Sequence, residues 1–304
     1  MTKTKPKVMR KTRKTSSEEK GAIEGLFSIG RIMRKYGVPY QGSKSQIAEW
    51  IVGLLPAGDT LIDLFAGGCA VTHCAMQSGK WNEIITNDID DAGIQLFDGA
   101  IHGKYKDESR WISREMFFAM KDSDPYVRYC WSFGNDGRSY LYSKGREYCL
   151  EPIWRMIFAK TTQEARHQWK EFCRRKKDDN YYRGDLDSLV RLERIIGLER
   201  LGRIQSLESL ESLETSSKDY RSVAIPDNAI VYCDIPYKET KSYGNDFDHE
   251  AFYDWCLRQT VPVFISEYSM PEDKFEIVAE TSKRNTQGAN ANIKVIERLY
   301  RPKK

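Results

Sequence analysis

The segment Val231-Tyr232-Cys233-Asp234-Ile235-Pro236-Tyr237 sets an acid, a proline and an aromatic directly after an apolar run. Asp234 can accept a hydrogen bond from an amine, Pro236 fixes the chain direction, and Tyr237 offers a flat face. Together they have the means to hold a planar aminated ring, stack on it and orient its nitrogen. The same residues also fit a strand that simply ends in a turn. A second segment, Asp63-Leu64-Phe65-Ala66-Gly67-Gly68, is a strand entering a loop whose side chains vanish, so that a ligand can approach the backbone. Loops of this kind hold nucleotide-like ligands at the carboxyl ends of strands, although Gly-Gly alone is more often a plain turn. Asp88 follows at the end of the next strand, where a carboxylate can accept from ribose hydroxyls or cap a helix. The loop lacks the G-x-G-x-x-G spacing, so nothing in it favours a nicotinamide dinucleotide. Cys69, His73 and Cys74 are close enough to suggest a metal, but no second ligand pair follows, and they read as a helix start behind the glycines.

These residues need elements to carry them. Ile47, Ile51, Leu54 and Leu55 have helical spacing that Pro56 ends. Leu61 to Phe65 reads as a buried parallel strand, Ala70 to Met76 as a helix, and Glu83 to Thr86 as a second strand, which makes a first βαβ unit. Ala229–Cys233, Pro262–Ser266, Ile277–Ala279 and Ile293–Leu299 read as later strands. A short amphipathic helix is expected over 22–35, and His249-Glu250 reads as another helix start. His102 and His167 read as surface residues.

Composition bounds the class. Hydrophobic residues make up 40% and charged residues 30%, enough for a soluble core. No apolar run approaches the ~20 residues of a membrane span, and no secretory h-region is visible. The seven cysteines are scattered without a CxxC pair and read as free thiols in a reducing compartment. Residues 1–20 hold eight Lys/Arg against two Glu, so the overall +4 leaves −2 for the rest of the chain. That basic tail reads as disordered.

Residues 101–177 carry 17 Lys/Arg against 10 Asp/Glu and 15 of the 36 aromatics, which reads as an inserted basic module, mainly helical. Its four-residue tip Arg174–Lys177 also fits a solvated charge run. Residues 189–213 place Leu or Ile at every third position. A step of three turns about −60° on an α-helix, so the stripe wraps instead of keeping one face. A helix and a repeat-expanded linker both remain open, and no chemistry is assigned there.

Taken together, the motifs resemble the Dam-like (D12 class) DNA adenine-N6 methyltransferases. Tyr40-Gln41-Gly42-Ser43-Lys44 is similar to that family's leading motif, Asp63–Gly68 to its cofactor loop, and Asp88 to its ribose acid. Lys218-Asp219-Tyr220 resembles the pre-catalytic segment, Asp234-Ile235-Pro236-Tyr237 the D-P-P-Y signature, and Ser266-Glu267-Tyr268 the segment after the next strand. The first proline of the signature is Ile235 here, and Ile still supplies the carbonyl.

The resemblance implies an α/β fold, a Rossmann-like S-adenosylmethionine-dependent methyltransferase sheet with an inserted target-recognition module at 101–188. The core is then 21–100 and 215–304. The cofactor S-adenosylmethionine is expected to touch Tyr40, Lys44, Asp63, Phe65, Gly67, Asp88, Asp219, Tyr220 and Asp234, with Lys44 near its carboxylate. Asp234, Ile235, Pro236 and Tyr237 are the expected catalytic residues, and no metal is expected. Double-stranded DNA is the expected partner, contacted through Asn135, Arg138, Tyr140 and Lys144, in a cytoplasmic protein of prokaryotic or phage origin. A restriction endonuclease partner stays open. So do two other readings, methylation of RNA or another planar amine, and an inactive DNA-binding homologue.

Overall fold

A computed structural model describes residues 36–178, 198–205, 213–238, 247–284 and 294–303. The basic tail, the expected 22–35 helix and most of the triplet segment lie outside the described residues.

Seven strands form one sheet: β1 (Thr60–Asp63), β2 (Glu83–Asn87), β3 (Glu214–Ser216), β4 (Ala229–Cys233), β5 (Val263–Glu267), β6 (Phe275–Arg284) and β7 (Lys294–Pro302), in the order β3-β2-β1-β4-β5-β7-β6. The pairs from β3 through β5 are parallel, and β7 runs antiparallel to both its neighbours. This mostly parallel α/β sheet is consistent with the expected methyltransferase fold. Strands β1, β4 and β5 are buried along their whole length, as near-continuous apolar runs covered on both faces should be. Side chains alternate between the two faces. Leu61, Ile230, Tyr232 and Phe264 join the core under helices α1 (Ala48–Leu54) and α2 (Ala70–Ser78). Ile62, Val231, Cys233 and Ile265 face α9 (His249–Arg258).

Strand β3 was not legible in the sequence: three residues, none buried, carry no alternation to detect. The last two strands are longer than their apolar cores suggested, because they form an antiparallel hairpin with a bulge between Ile277 and Ala279.

After α3 (Asp91–Ile101), the chain builds four further helices: α4 (Arg114–Met120), α5 (Pro125–Cys130), α6 (Lys144–Ile157) and α7 (Thr162–Asp178). The region is mainly helical as expected, but it does not have a core of its own. Tyr126, Trp131, Tyr142 and Trp154 pack in one cluster with Phe97 of α3 and with Leu201 and Ile204 of α8 (Leu198–Gln205). The aromatic enrichment of this stretch is therefore largely interior packing. Helix α8 is the described part of the triplet segment. Over so few residues the stripe drifts little, and Leu201 and Ile204 both reach the core. No helix among the described residues is long and apolar enough to cross a membrane.

Two glycines are fixed by close backbone contact. A Cβ on Gly37, which has φ +69°, would lie 2.2 Å from the Gly68 carbonyl oxygen, and a Cβ on Gly93 in α3 would lie 2.2 Å from that of Gly67. Helix propensity alone makes Gly93→Ala stabilising by about 1 kcal/mol. The contact with Gly67 reverses the sign, and the variant is expected to lose about 1–3 kcal/mol, read as a lower urea midpoint at unchanged slope.

Candidate active site

The sheet order reverses at β1, with β2 on one side and β4 on the other, and such a switch point opens a crevice at the carboxyl ends of the strands. Asp63 pairs with Tyr232 in register, and the Leu64 N–H donates to the Tyr232 carbonyl at 2.9 Å. The loop after β1 and the turn after β4 are therefore neighbours.

The glycine loop is held by polar bonds at both ends. The Gly67 N–H donates to Asp88 Oδ2 at 2.7 Å, and Asp88 Oδ1 accepts the Asp90 N–H at 2.9 Å. Asp88 is not the cap of α3; Asp90 is. Asp63 is buried, and its Oδ2 accepts both the N–H and the hydroxyl of Thr72 at 3.1 and 2.7 Å. Tyr40 lays its ring over Gly67 and Gly68, where a Cβ on either glycine would meet it. Asn87 ties the next segment in. Its Nδ2 donates to the carbonyls of Leu64 and Lys218, while its Oδ1 accepts the Lys218 N–H. Asp219 caps a short 3₁₀ turn and pairs with Arg221 at 2.7 Å. Tyr220 packs against Phe65, centroids 5.5 Å apart, with Phe247 and Phe252 beside them.

The turn after β4 carries the densest set of charges. Lys44 Nζ lies 2.6 Å from Asp234 and 3.5 Å from Glu297, and it is nearly buried. It also sits 4.6 Å from the Tyr237 ring centroid. Lys44 thus meets protein acids across the cleft. The Tyr237 hydroxyl donates to Glu297, and its ring meets Tyr268 edge-on at 4.5 Å. Burial, then the nearby carboxylates of Asp234 and Glu297, push that phenol well above its ordinary pKa, so it stays a donor. Ile235 is 2% exposed and packs in the α9 core, which anchors the turn by side-chain burial. His249 Nε2 lies 2.9 Å from the Pro236 carbonyl and donates to it.

The structure thus brings Tyr40, Lys44, Asp63, Phe65, Gly67, Asp88, Asp219, Tyr220 and Asp234–Tyr237 to one edge of the sheet. The four residues expected at DNA are more scattered in role. Arg138 and Lys144 are exposed. Asn135, in the left-handed region at φ +59°, donates its amide to the Tyr129 carbonyl. Tyr140, expected at DNA, is buried, and its hydroxyl donates to the Ile112 carbonyl at 2.7 Å.

The sequence reading left Glu297 unmarked and took His249 and His73 as parts of helix starts. Glu297 shares a strand face with Leu299, and period two marks it as an inward acid. His249 does begin α9, but its contact with Pro236 carries no sequence signal. His73 Nδ1 accepts the Gly37 N–H at 3.0 Å, and burial, with the Arg203 charge nearby, lowers its pKa to about 4, so the ring is neutral.

Residues 40–137 match the model of the family described as D12 class N6 adenine-specific DNA methyltransferase. No curated protein matches the chain. The matched stretch holds the leading motif, the glycine loop, Asp88 and Asn135, and points to methyl transfer onto adenine in DNA.

The buried acids set a pH dependence. Burial raises Asp63 to about 7, Asp88 to about 6 and Glu267 to about 7, with Asp234 adding repulsion in each case. Each holds its proton in the folded chain at a pH where the unfolded chain, titrating near 4, has released it. The folded state binds more protons, so stability falls as pH rises from about 4 toward neutrality. Glu171 and Asp219, held down to about 2 by arginines, act in the opposite sense below that window, and His73, lowered to about 4, opposes the trend within it as one group against three. Urea midpoints of the ligand-free protein are expected to fall with pH across this window, and Asp63→Asn to flatten the slope; a rise with pH would contradict the assignment.

Proposed function

We propose that the chain transfers a methyl group from S-adenosylmethionine to N6 of an adenine flipped out of duplex DNA. One observation supports this reading above the rest: the glycine loop and the Asp234–Tyr237 turn leave the adjacent carboxyl ends of β1 and β4, joined by the Leu64 to Tyr232 hydrogen bond. A donor-binding loop and an amine-binding turn have to be adjacent for a direct transfer.

The residues fit a cationic donor. Asp234 raises the proton affinity of both Asp63 and Asp88, so three acids crowd one cleft and favour a positive ligand. Bound S-adenosylmethionine would supply a methyl already activated on a sulfonium. Tyr40, Gly67 and Asp88 would line the nucleoside side, Phe65, Asp219 and Tyr220 the adenine side, and Lys44, Asp63 and Asp234 the remainder.

The protein's own part is alignment. Asp234 and the Ile235 carbonyl accept the two N6 hydrogens, which orients the nitrogen lone pair; as the nitrogen takes the methyl, the sulfur–methyl bond would break to leave a thioether, and one N6 proton passes through Asp234 to solvent. For this, Lys44 releases Asp234 and keeps Glu297 as its counter-ion. Tyr237 stacks on the base; Lys44 occupies one face of that ring, so the base takes the other or displaces it. His249 and the burial of Ile235 hold the turn in place. Extruding the adenine costs a few kcal/mol, met by contacts to the rest of the DNA. Arg138, Lys144 and the basic surface of α6 and α7 bind phosphates, with Asn135 placed near the cleft by the Gln41 N–H to Asn135 carbonyl bond of 3.2 Å.

Incorporation of labelled methyl into DNA, RNA and peptide tests the reading. DNA is expected to be the acceptor, and Asp234→Ala to lower kcat by about 10²–10³-fold. Tyr237→Phe, which keeps the ring and loses the hydroxyl with its bond to Glu297, is expected to fall much less than Tyr237→Ala. Labelling of RNA or peptide in preference to DNA, or full activity in Asp234→Ala, would overturn the proposal.

A further inference from the structure

Helix α8, the described part of the leucine-triplet segment, has no place in the chemistry so far. Its Leu201 and Ile204 serve the core, while Arg200, Arg203 and Gln205 bind backbone carbonyls of other segments. Arg203 donates from Nε to the Gly37 carbonyl at 2.8 Å and from Nη2 to that of Tyr36. Arg200 donates from Nη1 to the carbonyls of Cys130 and Ser132 at 2.9 and 2.7 Å. Gln205 Nε2 faces the carbonyls of Tyr105, Lys106 and Glu108 at 3.1–3.2 Å.

The two arginines hold two different loops. The Gly37 peptide is gripped from both sides: its N–H donates to His73, its carbonyl accepts from Arg203, and the next N–H, of Val38, donates to the Gly68 carbonyl at 2.8 Å. Tyr40 and Lys44 follow directly. On the other side, Ser132 receives Arg200 on its carbonyl and the Gly137 N–H on its hydroxyl, which closes the turn that carries Asn135. That turn in turn meets Gln41.

We propose that α8 is a clamp that registers the donor-binding loop against the target-binding turn, with Arg203 the positioning residue for the first and Arg200 for the second. The ligand identities rest on the methyl-transfer reading above; the clamp itself rests on the hydrogen bonds. In Arg203 two nitrogens of the planar guanidinium, Nε and Nη2, span two carbonyls, which an ammonium cannot match, so Arg203→Lys keeps the charge and loses the geometry. Arg200 reaches both of its carbonyls from Nη1, and there Arg200→Lys tests reach and direction.

The test uses the full chain. Arg203→Met is expected to raise the Kd for S-adenosylmethionine about tenfold, measured by calorimetry, while KM for unmethylated plasmid DNA stays within about twofold. Arg200→Met should do the reverse, and Arg203→Lys and Arg200→Lys should fall between. Amide hydrogen exchange provides a readout that needs no ligand: faster exchange at 36–44 in the Arg203 variants and at 132–137 in the Arg200 variants. Variants that lower the thermal midpoint but leave Kd, KM and the exchange pattern unchanged would overturn the clamp, as would failure of both the Met and Lys forms to fold. A wild-type chain that binds no S-adenosylmethionine would sink the methyl-transfer reading, and the exchange pattern would still decide the clamp.

Discussion

The parallel pairing of β1 with β4 is the constraint on which the rest of the molecule depends. The two strands are far apart in sequence, yet their pairing puts Asp63 beside Tyr232 and carries the chain on into two adjacent loops. A parallel pair needs a long crossover, and here that connection contains β2, β3 and the whole helical region between them. The crossover is also where most of the basic and aromatic residues lie. The same pairing that aligns two loops at the cleft therefore places the helical region beside it.

Charge at the cleft is held in an unstable balance that suits a binding site. Asp234 raises the proton affinity of both Asp63 and Asp88, and Lys44 sits between Asp234 and Glu297. Burying ionised groups without full pairing is costly, and groups in such surroundings cluster where ligands bind. The backbone around them is correspondingly fixed. Asn87 joins three chain segments through one side chain, and Asp88 gives one oxygen to the glycine loop and the other to the Asp90 N–H ahead of α3.

The helical region is less a separate module than an extension of one face of the core. Its tryptophans and tyrosines pack against α3 and α8, and the exposed part of its chemistry lies in arginines and lysines on α6 and α7. Helix α8 joins this region to the leading loop through side-chain bonds to backbone carbonyls, beside the core packing of Leu201 and Ile204. Such bonds fix loop position without requiring any particular residue at the carbonyl, so the partners leave no trace in composition.

The sequence by itself determined the strand tips and what stands on them. The glycines after β1, Asp88 after β2 and the Asp234–Tyr237 turn after β4 were all legible, because a buried strand is a short apolar run and the residues that follow it are few. It also determined the helical character of 101–177. Only the tertiary structure decided which residues of that stretch face inward: Tyr140 looked available to a base and is buried, since aromatic type does not encode exposure. Only it brought in Glu297, His249, His73 and Arg203, each reaching the site across long sequence distance. Short-range periodicity reports which face of an element is apolar; it holds no information about which distant carbonyl or hydroxyl a polar side chain will meet once the sheet has closed the loops together.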